Sequence, residues 1–361
     1  MRTSSLYGTI LGVVLLLASC QNADVKMHTI VYKDGHCERE VSYSAVMSKE
    51  ARDTLWQGDT LGMALPIPAC IDSSVFKKTK TEVVEDTVTT TCYQTFHSVE
   101  EMSRQMPLRL NDTRLHSSAK LEKRFRWFYS EYTFTEVFRC VGDTFKLAVT
   151  DYVDKDVASY WFTGQPDLIQ GLSGAEASEK LEKMESSISK WLNANVYQEC
   201  FDFIVSHYDS IPHPPVSRER FIEMHDTLSN FLLKGHENLL EEKGAEAFQS
   251  FFHSDAYSMF FDEETPCGKA MYEELFNKLS IFGFSVPYSL TMPGNVVDAR
   301  NGEYRDGIIY YPLTGERLIP HDYTISATSR VINIWAFIVT LLIIALAIGS
   351  WYHHMTRSRR K

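Results

Sequence analysis

The segment Lys123-Arg124-Phe125-Arg126-Trp127-Phe128-Tyr129-Ser130-Glu131-Tyr132-Thr133-Phe134-Thr135-Glu136-Val137-Phe138 sets the architecture. Side chains alternate across a pleated strand. Read that way, Phe125, Trp127 and Tyr129 line one face and Phe128, Tyr132, Phe134 and Phe138 the other. Aromatic and β-branched residues favour a sheet here, and both faces are expected to be at least partly covered.

Working toward the N-terminus, Thr81 to Phe96 is dominated by Thr and Val and reads as a strand or a pair of strands. Between the two stretches, Ser98 and Glu101 stand at capping-box spacing before Val99, Met102 and Met106, and Pro107 ends a short helix. Val25 to Tyr43 reads as a hairpin turned at Asp34-Gly35, because a tight turn needs the positive φ that glycine supplies.

Toward the C-terminus the pattern changes near Gly171. Within residues 175–206, Leu181, Met184, Ile188, Trp191 or Leu192, and Val196 recur at helical spacing, and Pro212 to Pro215 breaks the run. Further helices are expected from Arg218 to Leu233, from Glu237 to about Phe252, and from Pro266 to Ile281 with Thr265 as N-cap. After Phe284 the β pattern returns in Val286–Thr291, Val296–Ala299, Gly307–Tyr311 and Tyr323–Ala327. The expected fold class is α+β: a β-rich sheet formed by N- and C-terminal segments, with a helical insertion and one C-terminal transmembrane helix. The boundaries fall at 20–165 (β-rich), 166–283 (helical) and 284–330 (β-rich, membrane-proximal). The alternative is two sequential domains.

Both ends carry membrane signals. Residues 1–19 have one positive charge, Arg2, an apolar run from Leu6 to Leu17, and then Leu17-Ala18-Ser19-Cys20. That run is too short to span a bilayer, which takes about 20 apolar residues, and it fits an export signal. At the other end Val331 to Trp351 holds no charge and is long enough for a hydrocarbon core, so residues 331–352 are expected to form a transmembrane helix. Trp335, Trp351 and Tyr352 stand at its margins, and the basic tail, 353–361, is expected on the cytoplasmic side. The body would then lie outside the cytoplasm. An apolar helix also points to the inner membrane of a Gram-negative cell, because outer-membrane spans are β-barrels.

Five of the 36 Lys and Arg residues lie in the signal and tail, while all 47 Asp and Glu lie between them, which leaves the body at −16. That balance disfavours nucleic acid and anionic headgroups, both of which need a basic footprint, although a local basic patch is compatible with it. Besides Cys20 there are six cysteines, Cys37, Cys70, Cys92, Cys140, Cys200 and Cys267. In an oxidising compartment they permit disulfides, and as small apolar residues they also suit a core.

Leu17-Ala18-Ser19-Cys20 resembles the lipobox of bacterial lipoproteins, which implies acylation at Cys20 and attachment to membrane lipid. Met292-Pro293-Gly294-Asn295-Val296-Val297, followed by Asn301-Gly302 and the final helix, is similar to the membrane-proximal part of LppM-like envelope lipoproteins. Lys123 to Phe138 and Tyr160-Trp161-Phe162-Thr163-Gly164 resemble segments of uncharacterised Gram-negative lipoproteins. These resemblances imply an architecture and no catalytic residues.

Templates for chemistry find little support. Gly171-Leu172-Ser173-Gly174 lacks the spacing of a nucleophile elbow. Three S-x-x-K matches, at Ser74, Ser117 and Ser187, come without companion motifs, and H-E-x-x-H is absent. His207, Asp209 and His213 sit where a helix gives way to a proline-rich loop. No motif implies a cofactor or a metal. Trp127 and Tyr129 are the candidate binding surface, since exposed aromatics stack on sugars or anchor protein partners. The expectation is a membrane-anchored periplasmic lipoprotein that binds or scaffolds an envelope protein or glycan. An envelope hydrolase with an unfamiliar site, or a glycan- or lipid-binding module, is the alternative.

Overall fold

Asp34-Gly35 turns the chain as its chemistry requires, with Gly35 at φ +98° between β1 (Asp24–Val31) and β2 (Cys37–Val46). The computed structural model describes residues 24–48, 65, 67–110, 113–235 and 242–358. The Thr- and Val-rich stretch resolves as a pair, β3 (Lys78–Val84) and β4 (Thr87–Phe96), and β4 pairs with β2 along its whole length. The short helix is Val99–Arg104, where Ser98 Oγ accepts from the Glu101 amide at 3.2 Å and the Glu101 carboxylate accepts from His97 N. A two-stranded ribbon follows, β5 (Arg109–Leu110) with β6 (Thr113–Arg114).

The aromatic segment is not one strand. It is the end of β7 (Ser117–Phe125), a turn at Arg126-Trp127-Phe128, and β8 (Tyr129–Phe138). In β8 every second residue from Ser130 to Phe138 is buried, whereas Phe125, Trp127 and Phe128 are exposed. The turn contains no Gly, Pro or Asn, so the usual punctuation is missing and aromatic density hides it.

Five strands follow the helical layer: β9 (Tyr288–Thr291), β10 (Asn295–Asp298), β11 (Glu303–Arg305), β12 (Ile308–Tyr311) and β13 (Tyr323–Ile332). They complete two sheets, ordered β11-β12-β9-β1-β2-β4-β3 and β10-β13-β8-β7. The N- and C-terminal segments therefore share both sheets, β9 lying parallel to β1 and β13 antiparallel to β8. Met27, Val41, Cys92 and Phe96 of the first sheet pack in one core with Phe134, Phe138, Ile325 and Ala327 of the second. Gly294 is required where β10 meets β13, because a Cβ there would lie 2.4 Å from the Arg330 carbonyl oxygen.

Helices Lys155–Thr163, Gly174–Ser206, Arg218–Glu223, His225–Gly235, Glu242–Phe252 and Pro266–Leu279 form a second core around Trp191, Phe221, Phe248 and Tyr257. This layer begins earlier than composition suggests, since Phe145, Val149, Ala158 and Phe162 already belong to it. The expected Arg218–Leu233 helix is two helices that meet at Met224, beside which Tyr197 Oη donates to the His225 carbonyl at 2.8 Å. The aromatic run from Phe248 to Phe261 fills this core.

The last strand runs five residues past Ala327, so Val331 and Ile332 pair with Ser130 and Tyr129 instead of opening the final helix. That helix is Ile334–Ser358. Its Ile334–Met355 portion is long and apolar enough to cross a membrane, and the most apolar window is only 6% buried, where a core helix would be largely covered. The six described cysteines are free thiols, and Cys37, Cys92 and Cys200 are packed in the cores. Cys20 and residues 359–361 lie outside the described residues.

Candidate functional site

The β7–β8 turn and the start of the final helix form one structure. The Arg126 amide donates to the Tyr129 carbonyl at 2.8 Å and closes the turn. The carbonyls of Arg126, Trp127 and Phe128 all find their partners on one residue. Asn333, the single residue between β13 and the helix, supplies all of them. Its Nδ2 donates to Arg126 O at 2.8 Å and to Trp127 O at 3.3 Å, and its own amide donates to Phe128 O at 2.9 Å. Its Oδ1 accepts from Ser130 Oγ at 3.2 Å, and its carbonyl accepts the Ala336 amide at 2.9 Å.

Aromatic rings brace the same junction. Phe125 stacks at 6.3 Å on Trp335, Trp127 meets Trp335 edge-on at 5.3 Å, and Phe128 lies 4.7 Å from Phe337. Trp127 Nε1 donates to Thr340 Oγ1 at 2.8 Å. Thr340 lies six residues into the helix, about 9 Å along its axis at 1.5 Å per residue. The tip of the hairpin therefore extends alongside the first two turns of the apolar helix. It remains open on its outer side, with Phe125 59% and Trp127 44% exposed.

Of the two aromatics singled out in the sequence, Trp127 is at this tip and Tyr129 is not. Tyr129 is half-buried in β8 under the Arg330 guanidinium, 4.7 Å from its ring centre, and Arg330 pairs with Glu131 at 2.8 Å. Trp127 and Tyr129 thus do not form one flat platform. Asn333 is the residue the sequence reading missed. Its signal was a lone amide in the otherwise apolar Val331-Ile332-Asn333-Ile334-Trp335 run.

Ser173, Ser74, Ser117 and His207 have structural partners. Ser173 is the N-cap of the Gly174–Ser206 helix in a reciprocal capping box with Glu176. Ser74 Oγ donates to Asp72 at 2.6 Å and Ser117 Oγ to Glu136 at 2.7 Å. His207 Nδ1 lies 3.0 Å from both Ser206 Oγ and the Phe203 carbonyl. Among the described residues no group of three or more His, Cys, Asp or Glu is placed to hold a metal. An open depression lined by Leu172, Glu176, Glu179, Lys180 and Lys183 has its charges partly paired, Lys183 with Glu179 at 2.7 Å.

A second polar cluster lies between the sheets. Arg39 and Glu136, both fully buried, pair at 2.6 Å. Tyr288 Oη donates to Glu136 at 3.0 Å and lies 2.9 Å from Thr29 Oγ1, and Arg39 Nε donates to Thr29 Oγ1 at 3.2 Å. The Glu136 carboxylate raises the Arg39 pKa against the opposing effect of burial, and burial with Glu136 raises that of Tyr288. Without access to solvent the cluster cannot turn over a substrate. It ties β1, β2, β7, β8 and β9 into one register.

Comparison with protein-family models, with curated proteins and with solved structures gave no match for this chain.

Proposed function

We propose that this chain is a membrane-anchored envelope protein whose extracytoplasmic body binds or scaffolds another envelope component. The supporting observation is the braced junction: β13 passes into the apolar helix through one residue, and Asn333, Trp127 and Phe128 fix the body against it. A flexible tether would leave the body free to roam, whereas this joint holds it upright beside the bilayer. The proposal places the body in the periplasm, the basic tail in the cytoplasm and acyl chains on Cys20, in keeping with the terminal signals.

The test uses the full chain in its native cells. Protease added to spheroplasts should digest the body, and in-cell cross-linking should join it to one envelope component above the level seen with an unrelated anchored protein. A protected body refutes the topology. Cross-linking no different from the control refutes the scaffolding role.

A further inference from the structure

The body is acidic overall, yet the end that meets the helix is not. Lys33, Lys123, Arg124, Arg126 and Arg330 are all exposed there, around the aromatic tip. The acids among them are Asp34, Glu122 and Glu131. Glu131 is taken by Arg330, Glu122 is shared by Lys120 at 2.8 Å and Arg124 at 3.5 Å, and Asp34 pairs with His36. Lys33, Lys123 and Arg126 have no carboxylate at ion-pair distance among the described residues. Lys123 instead lies over the Tyr132 ring at 5.2 Å and reaches the Lys33 carbonyl at 3.5 Å, which brings Lys33 and Lys123 together beside the tip.

Resting on the anchored reading above, we infer that the β7–β8 tip enters the leaflet facing the body and that its basic flank binds anionic phospholipid headgroups. Phe125 and Trp127 meet Trp335, the ring at the helix margin where amphipathic rings favour the headgroup–acyl boundary, and the Trp127 indole reaches past it to Thr340, about 9 Å along the helix from Ile334, which satisfies its N–H there. Phe125 and Phe128 flank it with exposed apolar faces that water disfavours and acyl chains accept. Lys123, two residues up β7 from Phe125, and Lys33 beside it sit on the body side of these rings, at the height of phosphates, and Arg126 lies in the turn level with Asn333. Net charge hides this patch because the acids that set it lie elsewhere on the body.

The experiment places a benzophenone amino acid singly at positions 125, 342 and 84 of the full chain, reconstituted in nanodiscs of mixed phosphatidylglycerol and phosphatidylcholine. Position 342 lies in the helix, and position 84 is the exposed last residue of β3. Irradiation and mass analysis should give lipid adducts at 342 and 125 and none at 84. Phosphatidylglycerol should exceed its mole share at 125, and Arg126→Gln should cut that excess about fivefold, the effect of one cation near a charged surface. Adducts at 342 but no more at 125 than at 84 overturn the tip insertion, and an excess that Arg126→Gln leaves unchanged overturns the headgroup contact. Loss of adducts at 342 as well marks failure of the anchored reading itself.

Discussion

Substituting Glu136→Gln tests whether the two sheets pack as described. The carboxylate receives Arg39 Nη2 at 2.6 Å, Ser117 Oγ at 2.7 Å and Tyr288 Oη at 3.0 Å, and neither ionic side chain touches solvent. The amide keeps the shape but leaves the Arg39 charge in the core without a counter-ion. Breaking one partner of such a pair costs about 3–5 kcal/mol. At about 2.1 cal/mol/K per residue, a sheet unit of roughly 160 residues has an unfolding entropy near 0.34 kcal/mol/K, so the loss lowers Tm by about 9–15 °C. The double variant Arg39→Met with Glu136→Leu should recover most of this, because an apolar pair of similar volume removes both desolvation penalties. Near-UV circular dichroism melts of the detergent-solubilised full chain report it directly. A fall below about 2 °C for Glu136→Gln, or a double variant as damaged as the single one, would refute the buried pair.

The junction and both cores give further expectations. Asn333→Ala removes two hydrogen bonds, to the Arg126 and Trp127 carbonyls, and at about 0.5–1.5 kcal/mol net for each the Arg126 amide should exchange roughly 5- to 150-fold faster; unchanged exchange means the turn does not depend on Asn333. Burial lowers the pKa of His28, which sits between Ser289 at 2.6 Å and Thr291 at 3.2 Å. The unfolded chain therefore takes up the proton first, and the stability tied to neutral His28 is intact above pH 6.5 and falls below it. His28→Gln should flatten that decline in denaturant midpoints between pH 7 and 5, and an identical decline would rule out His28 as its source. Burial pushes the Cys37 and Cys200 thiols up to about 12, so maleimide should label them no faster than the protein unfolds, and prompt labelling in the native state would contradict their packing.

The sequence carried the sheet-and-helix pattern wherever local chemistry was unambiguous. Asp34-Gly35, the Ser98–Glu101 capping box and the Thr265-Pro266 helix start all sit where their residue types require. Boundaries set by long-range pairing were not legible. Val331 and Ile332 are as apolar as the helix that follows, and only their pairing with Tyr129 and Ser130 makes them strand. The Arg126–Phe128 turn was invisible because its carbonyls are satisfied by Asn333, some two hundred residues away, and not by local turn residues. The same distance concealed the site. Trp127 stood out as an aromatic, but its place beside the helix follows from the β8–β13 register.

That register also decides what acylation at Cys20 would do to the fold. Tyr132 Oη donates to the Lys33 carbonyl, and Arg39, opposite Thr29, meets Glu136, so stepping back along β1 from its turn means climbing β8 away from the helix. Eight residues of β1 cover about 23 Å at 3.3 Å per residue, and Tyr132 is already about 10 Å above Tyr129. Asp24 thus stands roughly 30 Å from the level where the helix begins. The link from Cys20 to Asp24 spans at most about 14 Å. Acyl chains on Cys20 reach the bilayer of the helix only when Asp24 to Lys26 leave the sheet, which both lengthens the link and lowers its attachment. Tilting the body instead would pull Trp127 off Thr340. Peeling exposes one buried apolar side chain, Val25, at about 1.5–3 kcal/mol, whereas acyl insertion gains about 0.8 kcal/mol per methylene over two chains, so the peeled strand wins. Hydrogen exchange on membranes from the native host should therefore find Val25 and Lys26 unprotected in the acylated protein and protected in Cys20→Ser. Protection of both amides in a chain whose intact mass includes the lipid would show that its acyl chains and its helix do not enter the same bilayer.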